Sequence, residues 1–281
     1  MGIGVVDSLK GGAQKLASPN GLGVLGAFVA LAVANVVITQ TIFLRSVERA
    51  LSRAGVEWSE AVAEAPASAP LPMGAGLAGP EQFFPEAIGV SLPVAVALWV
   101  LTALLAEVVR VLGIRVFASD ESGVPSGLFD SIGFTTLNSL IASLVATIVV
   151  MLGAVLLLIP GIVLAILLEF VRQEVALNDA NPFEALSNSY AHVKANFLAV
   201  FALGVVLFTL LLLVGVGAGT VASGPSLPGL PSFVSAVLTT GVTVYTLAVM
   251  TDAYQQAVDG ETGGATSTGS DTPNDTEGSP L

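Results

Sequence analysis

The feature that most constrains the fold is an apolar stretch, residues 137–177, with Pro160 and Gly161 near its middle. As one straight helix these 41 residues would extend roughly 61 Å, about twice the thickness of the hydrocarbon core of a bilayer. Proline removes a backbone donor and clashes with the preceding helical turn. We therefore expect a tight turn at Pro160 and Gly161 between two antiparallel helices.

Four further stretches approach or exceed the length of about 20 apolar residues that a helix needs to cross a membrane. The sequence therefore predicts an all-α fold, a polytopic membrane bundle of about six transmembrane helices within residues 1–257. The predicted spans are residues 22–44, 87–106, 137–159, 161–177, 197–217 and 233–251.

Composition supports this class and removes several others. Apolar residues make up 54% of the chain and charged residues 11%, whereas soluble globular proteins carry about 25% charged residues. Cysteine is absent, which excludes disulfides, thiolate metal sites and cysteine nucleophiles. His192 is the single histidine, so a site of several histidines is excluded as well. We expect no cofactor and no metal.

The net charge of −12 comes with three lysines and six arginines, none of them clustered as nucleic-acid binding requires. The expected partners are the lipid bilayer and other membrane proteins. An acidic, lysine-poor, cysteine-free chain resembles proteins of a halophilic archaeon. An ordinary acidic bacterial protein would have the same features, and both interpretations stay open.

Basic residues near the helix ends predict the orientation in the cell membrane, because cytoplasmic loops are enriched in lysine and arginine. With six spans both termini lie on one side of the membrane, and the basic residues favour the cytoplasm as that side. The loop 54–86 is then extracytoplasmic, and the acidic tail 258–281 is cytoplasmic and expected to be disordered. Six basic residues face the cytoplasm, Lys10, Lys15, Arg110, Arg115, Arg172 and Lys194, and three face outward, Arg45, Arg49 and Arg53.

Short amphipathic segments before the odd-numbered spans suggest three repeats, each an interfacial helix followed by a transmembrane hairpin. The best of them begins with Asn181, Pro182 and Glu184, the residues favoured at the cap, first and third positions of a helix. Chance similarity among short motifs is the alternative. Apolar residues recur at helical spacing in three lead-ins, namely Val6, Leu9, Ala13 and Leu16; Phe129 and Ile132; and Phe183, Leu186, Tyr190, Val193 and Phe197.

The candidate site residues are charges at the cytoplasmic helix ends. An acid stands three residues before Arg or Gln in each of three places, which sets the two on one helical face. Charged groups within spans are costly and usually face the bundle interior, so each is either a contact for an ion, proton or substrate, or a self-paired structural charge. We favour the structural interpretation. The residues are Glu107 with Arg110, Glu169 with Arg172, and Asp252 with Gln255.

Two stripes of small hydroxyl residues and His192 are weaker candidates for a functional site. Small hydroxyl residues let membrane helices approach closely, and we expect packing here rather than a hydrophilic pathway. His192 lies on an amphipathic segment without a second histidine, and we expect a solvated interfacial residue. The stripes are Ser139, Ser143 and Thr147, and Ser235, Thr239 and Thr243.

Residues 158–197 contain an apolar run into Pro160-Gly161, the segment EALSNSY at 184–190 and the segment VKANF at 193–197. This stretch resembles the membrane domain associated with glycerophosphoryl diester phosphodiesterases and related uncharacterised haloarchaeal multi-pass proteins. The resemblance implies a six-helix membrane domain of unassigned activity. The catalytic barrel of the enzyme-linked members needs about 250 residues, and about 30 residues follow the last span, so we expect no phosphodiesterase.

Three functional classes remain. A non-enzymatic membrane scaffold or accessory module needs only packing faces and interfacial helices, and it is the favoured hypothesis. A transporter or channel-like protein using Glu169 and Arg172 is the alternative, although hairpin repeats keep one orientation while many transporters use inverted repeats. An intramembrane enzyme has no supporting motif, so we expect no catalysis.

Overall fold

The computed structural model describes residues 2–63, 84–119, 121, 123–222 and 230–266. Within these ranges the regular structure is helical and contains no strand, which confirms the predicted all-α fold. The helices are α1 (Val5–Ala17), α2 (Pro19–Ala54), α3 (Trp58–Ala63), α4 (Leu92–Ala118), α5 (Ile132–Leu156), α6 (Leu158–Leu167), α7 (Val171–Asn178), α8 (Pro182–Ala195), α9 (Phe197–Ala222) and α10 (Leu230–Thr266).

Five helices of the described chain are long and apolar enough to cross a membrane, and they confirm a multi-pass membrane protein. They correspond to the first, second, third, fifth and sixth predicted spans. The second lies later in the chain than predicted, since the predicted range was 87–106. The membrane-length segments are Pro19–Ala54, Leu92–Ala118, Ile132–Leu156, Phe197–Ala218 and Ser232–Gly260.

The predicted fourth span, residues 161–177, is wrong as a single helix. The segment forms two short helices, α6 and α7, separated by a break at residues 168–170. The hydroxyl of Ser189 on α8 lies in the gap, where it accepts the Phe170 N–H at 3.1 Å and donates to the Leu167 carbonyl at 3.0 Å. A side chain inserted into the backbone ladder is a known cause of helix breaks.

The predicted turn at Pro160 and Gly161 is also wrong, by three residues. The chain leaves helical conformation at Leu157, with φ −157° and ψ 130°, and α6 begins at the next residue. Pro160 is therefore in the first turn of α6. A proline is tolerated there because the first N–H groups of a helix have no intrahelical acceptor.

Gly161 serves close packing within the α5–α6 hairpin rather than the turn. A Cβ atom added at Gly161 would lie 2.6 Å from the backbone of Ala154, and one added at Gly153 would lie 3.2 Å from the Gly161 Cα. The backbones of α5 and α6 thus lie almost in contact at these glycines. The tip of this hairpin is apolar and exposed, with Val155 82% and Ile159 75% exposed.

Two of the three predicted lead-in helices are confirmed, as α1 and α8, and α8 begins as the sequence indicates. The Asn181 side chain accepts the N–H groups of Phe183 and Glu184 at 3.2 and 3.1 Å, with Pro182 at the first helical position. The lead-in expected around Phe129 is wrong. The chain forms turns there, and Ile132 is the first residue of α5.

The chain divides into two compact units, each built from separated stretches of sequence. The first takes the described residues of Met1–Gly21, Val111–Leu207 and Tyr245–Leu281, and the second takes Leu22–Arg110 and Phe208–Val244. The largest buried cluster of the first unit joins residues from α8, α9 and α10, among them Val193, Leu203 and Tyr254. This cluster surrounds the polar site described below.

In the second unit, polar groups of α2 hold the segment that precedes α4. The Thr41 hydroxyl donates to the Val37 carbonyl at 2.7 Å and accepts the Ile88 N–H at 2.9 Å. Arg45 Nε donates to the Val90 carbonyl at 3.0 Å. Of the predicted loop 54–86, residues 58–63 form α3, and residues 64–83 lie outside the described residues.

The predicted tail boundary at residue 258 is wrong, because α10 continues through Thr266. Ala257 is buried and Val258 packs against the core of the first unit, which supports this extension of the helix. The remainder of the predicted tail, residues 267–281, lies outside the described residues.

Candidate functional site

In two of the three predicted places the charged residue at the helix end forms an ion pair within its own unit. Glu107 is buried and forms an ion pair with Arg110 one turn later on α4. In the first unit, Lys15 Nζ of α1 lies 3.0 Å from Asp252 Oδ1 and 2.6 Å from Gln255 Oε1 of α10. Asp252 and Gln255 thus share a helical face, as the sequence predicted.

Gly12 explains how α1 approaches α10 closely enough for these contacts. A Cβ atom on Gly12 would lie 2.8 Å from the backbone of Val249, so no larger residue fits without a shift. Two hydrogen bonds extend the contact along the helix: Gln256 Nε2 donates to the Ser8 hydroxyl at 3.1 Å, and the Gly4 N–H donates to Gln256 Oε1 at 2.9 Å. Asp252 therefore contributes to the contact between α1 and α10.

Glu169 and Arg172 lie at the α6–α7 break and along the start of α7. Together with Ser143 and Thr147 of α5 they line an open groove of about 240 Å³. The Ser143 and Thr147 hydroxyls donate to α5 carbonyls one turn back, at 3.1 and 2.7 Å. Of the three predicted acids, Glu169 is exposed, whereas Glu107 is buried and Asp252 is half-buried.

A polar cluster that the sequence analysis missed lies inside the first unit. Its centre is Glu174 on α7, whose side chain is 1% exposed. We call this group the Glu174 cluster; it comprises Glu174 and Asn178 of α7, Asn188 and His192 of α8, and Tyr254 of α10.

Each carboxylate oxygen of Glu174 has two partners. Oε1 accepts the Tyr254 hydroxyl at 3.0 Å, and His192 Nε2 lies 3.1 Å away. Oε2 accepts the amides of Asn178 and Asn188, each at 3.1 Å. A carboxylate accepts only, so the imidazole nitrogen that faces it must carry a proton. The cluster thus joins three helices through one buried acid.

Aromatic rings surround this acid and complete its burial. The Tyr254 ring packs edge-on against Phe170 at 5.5 Å and against His192 at 6.0 Å, centroid to centroid. Phe170 is fully buried, and Tyr254 is 3% exposed. Buried hydrogen bonds to a charged group are strengthened by such a low-dielectric environment.

His192 is accordingly not the solvated interfacial residue that the sequence led us to expect. Its side chain is 17% exposed and directed at the buried carboxylate. A local signal existed: Glu174 and Asn178, like Asn188 and His192, are four residues apart and so share a helical face. The contribution of Tyr254 from α10 has no such local signal.

A second polar contact fixes the other end of α7. Arg115 of α4 donates from Nε to the Ala176 carbonyl at 2.8 Å and from Nη2 to Asp179 Oδ1 at 3.2 Å. Thr135 of α5 donates to the same Asp179 oxygen at 2.6 Å. Asp179 ends α7 in left-handed conformation, with φ 49°. Arg115 therefore caps one of the orphan carbonyls at the end of α7.

Among the described residues no group of three or more histidine, aspartate or glutamate side chains could hold a metal ion. The two hydroxyl stripes mostly bond their own helices; Thr239 and Thr243, for example, donate to carbonyls four residues earlier at 2.7 and 2.9 Å.

Helix number and composition define the class as a polytopic α-helical membrane protein with a buried, self-contained polar cluster. Residues 79–257 match a domain of unknown function, DUF7847, and the chain belongs to this family. The matched range contains the whole Glu174 cluster. No curated protein and no solved structure matches the chain.

We expect Glu174→Gln to lower the free energy of unfolding by at least about 2 kcal/mol, because an amide has one acceptor oxygen where the carboxylate has two. Either the Asn178 and Asn188 amides on one side or the partners on the other side then lose their acceptor, and the charge they stabilise is removed. Denaturant unfolding of the purified protein in detergent measures this loss. The control is Glu184→Gln, an exposed position on α8 where about 0.5 kcal/mol or less is expected. Equal unfolding midpoints for the two variants would contradict the assignment.

Proposed function

We propose that this protein is a non-enzymatic membrane module, a scaffold or accessory subunit that acts by packing against other membrane proteins. The observation that carries this proposal is the saturation of Glu174. Both oxygens of this buried acid are occupied by side chains of the same chain, two contacts to each. A substrate or transported ion would have to displace those contacts. The cluster is therefore suited to fixing α7, α8 and α10 rather than to turnover.

The outer faces of the helices support the same proposal. In the first unit, large apolar side chains of α5 and α9 are exposed, including Leu144 at 60% and Leu198 at 78%. In a bilayer such faces meet lipid tails or other membrane helices. On α8, Phe183 is 77% exposed, which suits an interfacial helix in contact with headgroups.

A transporter or channel-like protein is the second candidate, and two observations favour it. Broken helices mark the binding sites of many transporters, and the α6–α7 break places Glu169 and Arg172 on a groove. In addition, the buried atoms Asn138 Nδ2 and Gln173 Oε1 have no hydrogen-bond partner within the described ranges. Buried polar atoms of this kind need water or a ligand.

Vesicle flux separates the two candidates. For a scaffold, proteoliposomes with an entrapped pH-sensitive dye should take up protons under a potassium diffusion potential no faster than protein-free vesicles, and Glu169→Gln should change nothing. The same comparison applies to a panel of small labelled solutes. Uptake by the wild-type protein that collapses in Glu169→Gln, with Glu184→Gln as the unaffected control, would replace the scaffold by a transporter.

The scaffold proposal also carries a positive requirement. Membranes solubilised under mild conditions should release the protein in a complex of fixed stoichiometry with another membrane protein, larger than the 28.4 kDa chain. Release as the free chain under conditions that keep the fold intact would count against the proposal.

We further propose that the protein lies in the cell membrane of a salt-loving archaeon with both termini in the cytoplasm. The acidic, lysine-poor composition supports the source, and the basic residues at the helix ends support the orientation. The short helices α6 and α7 then form a broken fourth crossing, which completes the six: residues 158–178 at about 1.5 Å each reach about 31 Å, close to the hydrocarbon thickness.

Because the chain has no cysteine, single introduced cysteines test this topology with a membrane-impermeant maleimide. We expect Ser52→Cys to react in intact cells, and Gly123→Cys and Ser187→Cys to react only after permeabilisation. All three positions are exposed, and a side chain at Gly123 meets no atom within 4 Å. Reaction of Ser187→Cys in intact cells would show that α6 and α7 do not return the chain to the side of Gly123.

A further inference from the structure

One face of α2 carries polar side chains that no other described part of the chain satisfies. Asn35 is exposed, and neither its side-chain amide nor the Thr39 hydroxyl one turn later forms a hydrogen bond with a residue that the structure describes. Other polar groups of α2 are satisfied. Gln40 Oε1 accepts the Glu86 N–H at 3.3 Å, and the Thr41 hydroxyl accepts an N–H of the segment before α4 at 2.9 Å.

The position of Asn35 along α2 places it inside the hydrocarbon core. It lies 13 residues after Leu22 and nine before Leu44, the two ends of the first predicted span. These separations correspond to about 20 Å and about 14 Å of helix. Lipid tails at this depth offer neither donors nor acceptors, so an unpaired amide is costly there. Asparagine side chains in membrane spans are satisfied by hydrogen bonds to another helix.

The residues around Asn35 suit a second helix packed along α2. Ala32, Thr39 and Ser46 recur every seven residues, and Asn35 and Ile42 follow the first two at a spacing of three. This alternation of three and four residues is typical of the contact line in a left-handed helix pair. Its small side chains let membrane helices approach closely. All five residues are half-buried or exposed in the described chain, and we call them the Asn35 seam.

A second copy of this chain supplies the matching polar group by symmetry. Two copies inserted in one bilayer have the same orientation, so a twofold axis along the membrane normal relates them and their α2 helices are parallel. Each residue of the seam then faces its own equivalent at the same depth. The asparagine amide has both donors and an acceptor, so two Asn35 side chains complement each other. A different protein would need a polar group of its own at this depth.

We propose that the protein forms a parallel homodimer through the Asn35 seam, with the two Asn35 amides bonded to each other within the bilayer. The dimer goes beyond the scaffold proposal and does not rest on it, because a transporter can pair in the same way. The tests below use the purified chain alone. Their failure is therefore distinguishable from a failure to find another membrane protein in the complex.

Disulfide formation in proteoliposomes maps the seam, because the chain has no cysteine of its own. Ala32→Cys should give a disulfide-linked dimer on mild oxidation, since its equivalent lies directly across the seam. The matched control is Ala30→Cys, an exposed alanine about 200° around the helix from Ala32, which should stay monomeric. Equal dimer yields at the two positions would indicate random collisions and overturn the proposal.

Sedimentation equilibrium in density-matched detergent measures the contribution of Asn35. The wild-type protein should have the mass of two 28.4 kDa chains. Asn35→Leu should raise the dissociation constant at least about fivefold, because the interhelical hydrogen bonds are lost. Asn35→Gln, which keeps an amide, should raise it less. Ala30→Leu, on the opposite face, should leave it unchanged.

These variants test association without compromising the fold, because Asn35→Leu replaces an exposed, unpaired amide by an apolar side chain that lipid accommodates. Equal unfolding midpoints of the wild-type and variant monomers check this point. A wild-type protein that sediments as a single chain, or an unchanged dissociation constant in Asn35→Leu, would refute the dimer. A photoreactive label on Ala32→Cys that attaches to a different protein in native membranes would assign the seam to that protein instead.

Discussion

The burial of the Glu174 carboxylate is the constraint on which the rest of the first unit depends. Moving a carboxylate into a low-dielectric interior costs several kcal/mol unless it is paired and hydrogen-bonded. Here the compensation comes from α7, α8 and α10 together, through Asn178, Asn188, His192 and Tyr254. Those helices must keep their relative positions for the acid to stay satisfied, and the cluster therefore fixes their packing.

The same packing of α8 against this segment explains the break between α6 and α7. A continuous helix over residues 158–178 would have no place for the Ser189 hydroxyl, which satisfies one donor and one acceptor at the break. Beyond the break, Arg115 caps the α7 carbonyl end through Ala176 and holds Asp179. The helix that carries Glu174 is thus short and held at both ends by side chains from other helices.

The membrane class and five of the six spans could be predicted because they rest on length and apolarity, which are local properties of the sequence. The N-terminus of α8 was predictable for the same reason, since Asn181, Pro182 and Glu184 act within one turn. The turn at Leu157 could not be predicted, because Pro160 fits equally well into the first turn of a helix. The Glu174 cluster escaped prediction because Tyr254 lies 80 residues from Glu174, and no periodicity connects them. Glu169, which the sequence placed with Arg172 at a cytoplasmic helix end, lies instead at a helix break on an open groove.

The most direct test of the central claim is a double-mutant cycle between Glu174 and Tyr254, measured as free energies of unfolding in detergent. Glu174→Gln, Tyr254→Phe and the double variant isolate the interaction between the two side chains. A cluster that fixes the helices through this acid predicts a coupling energy of about 1–3 kcal/mol. Losses that add to within about 0.5 kcal/mol would show that the two groups contribute independently and that the buried acid does not tie α7 to α10.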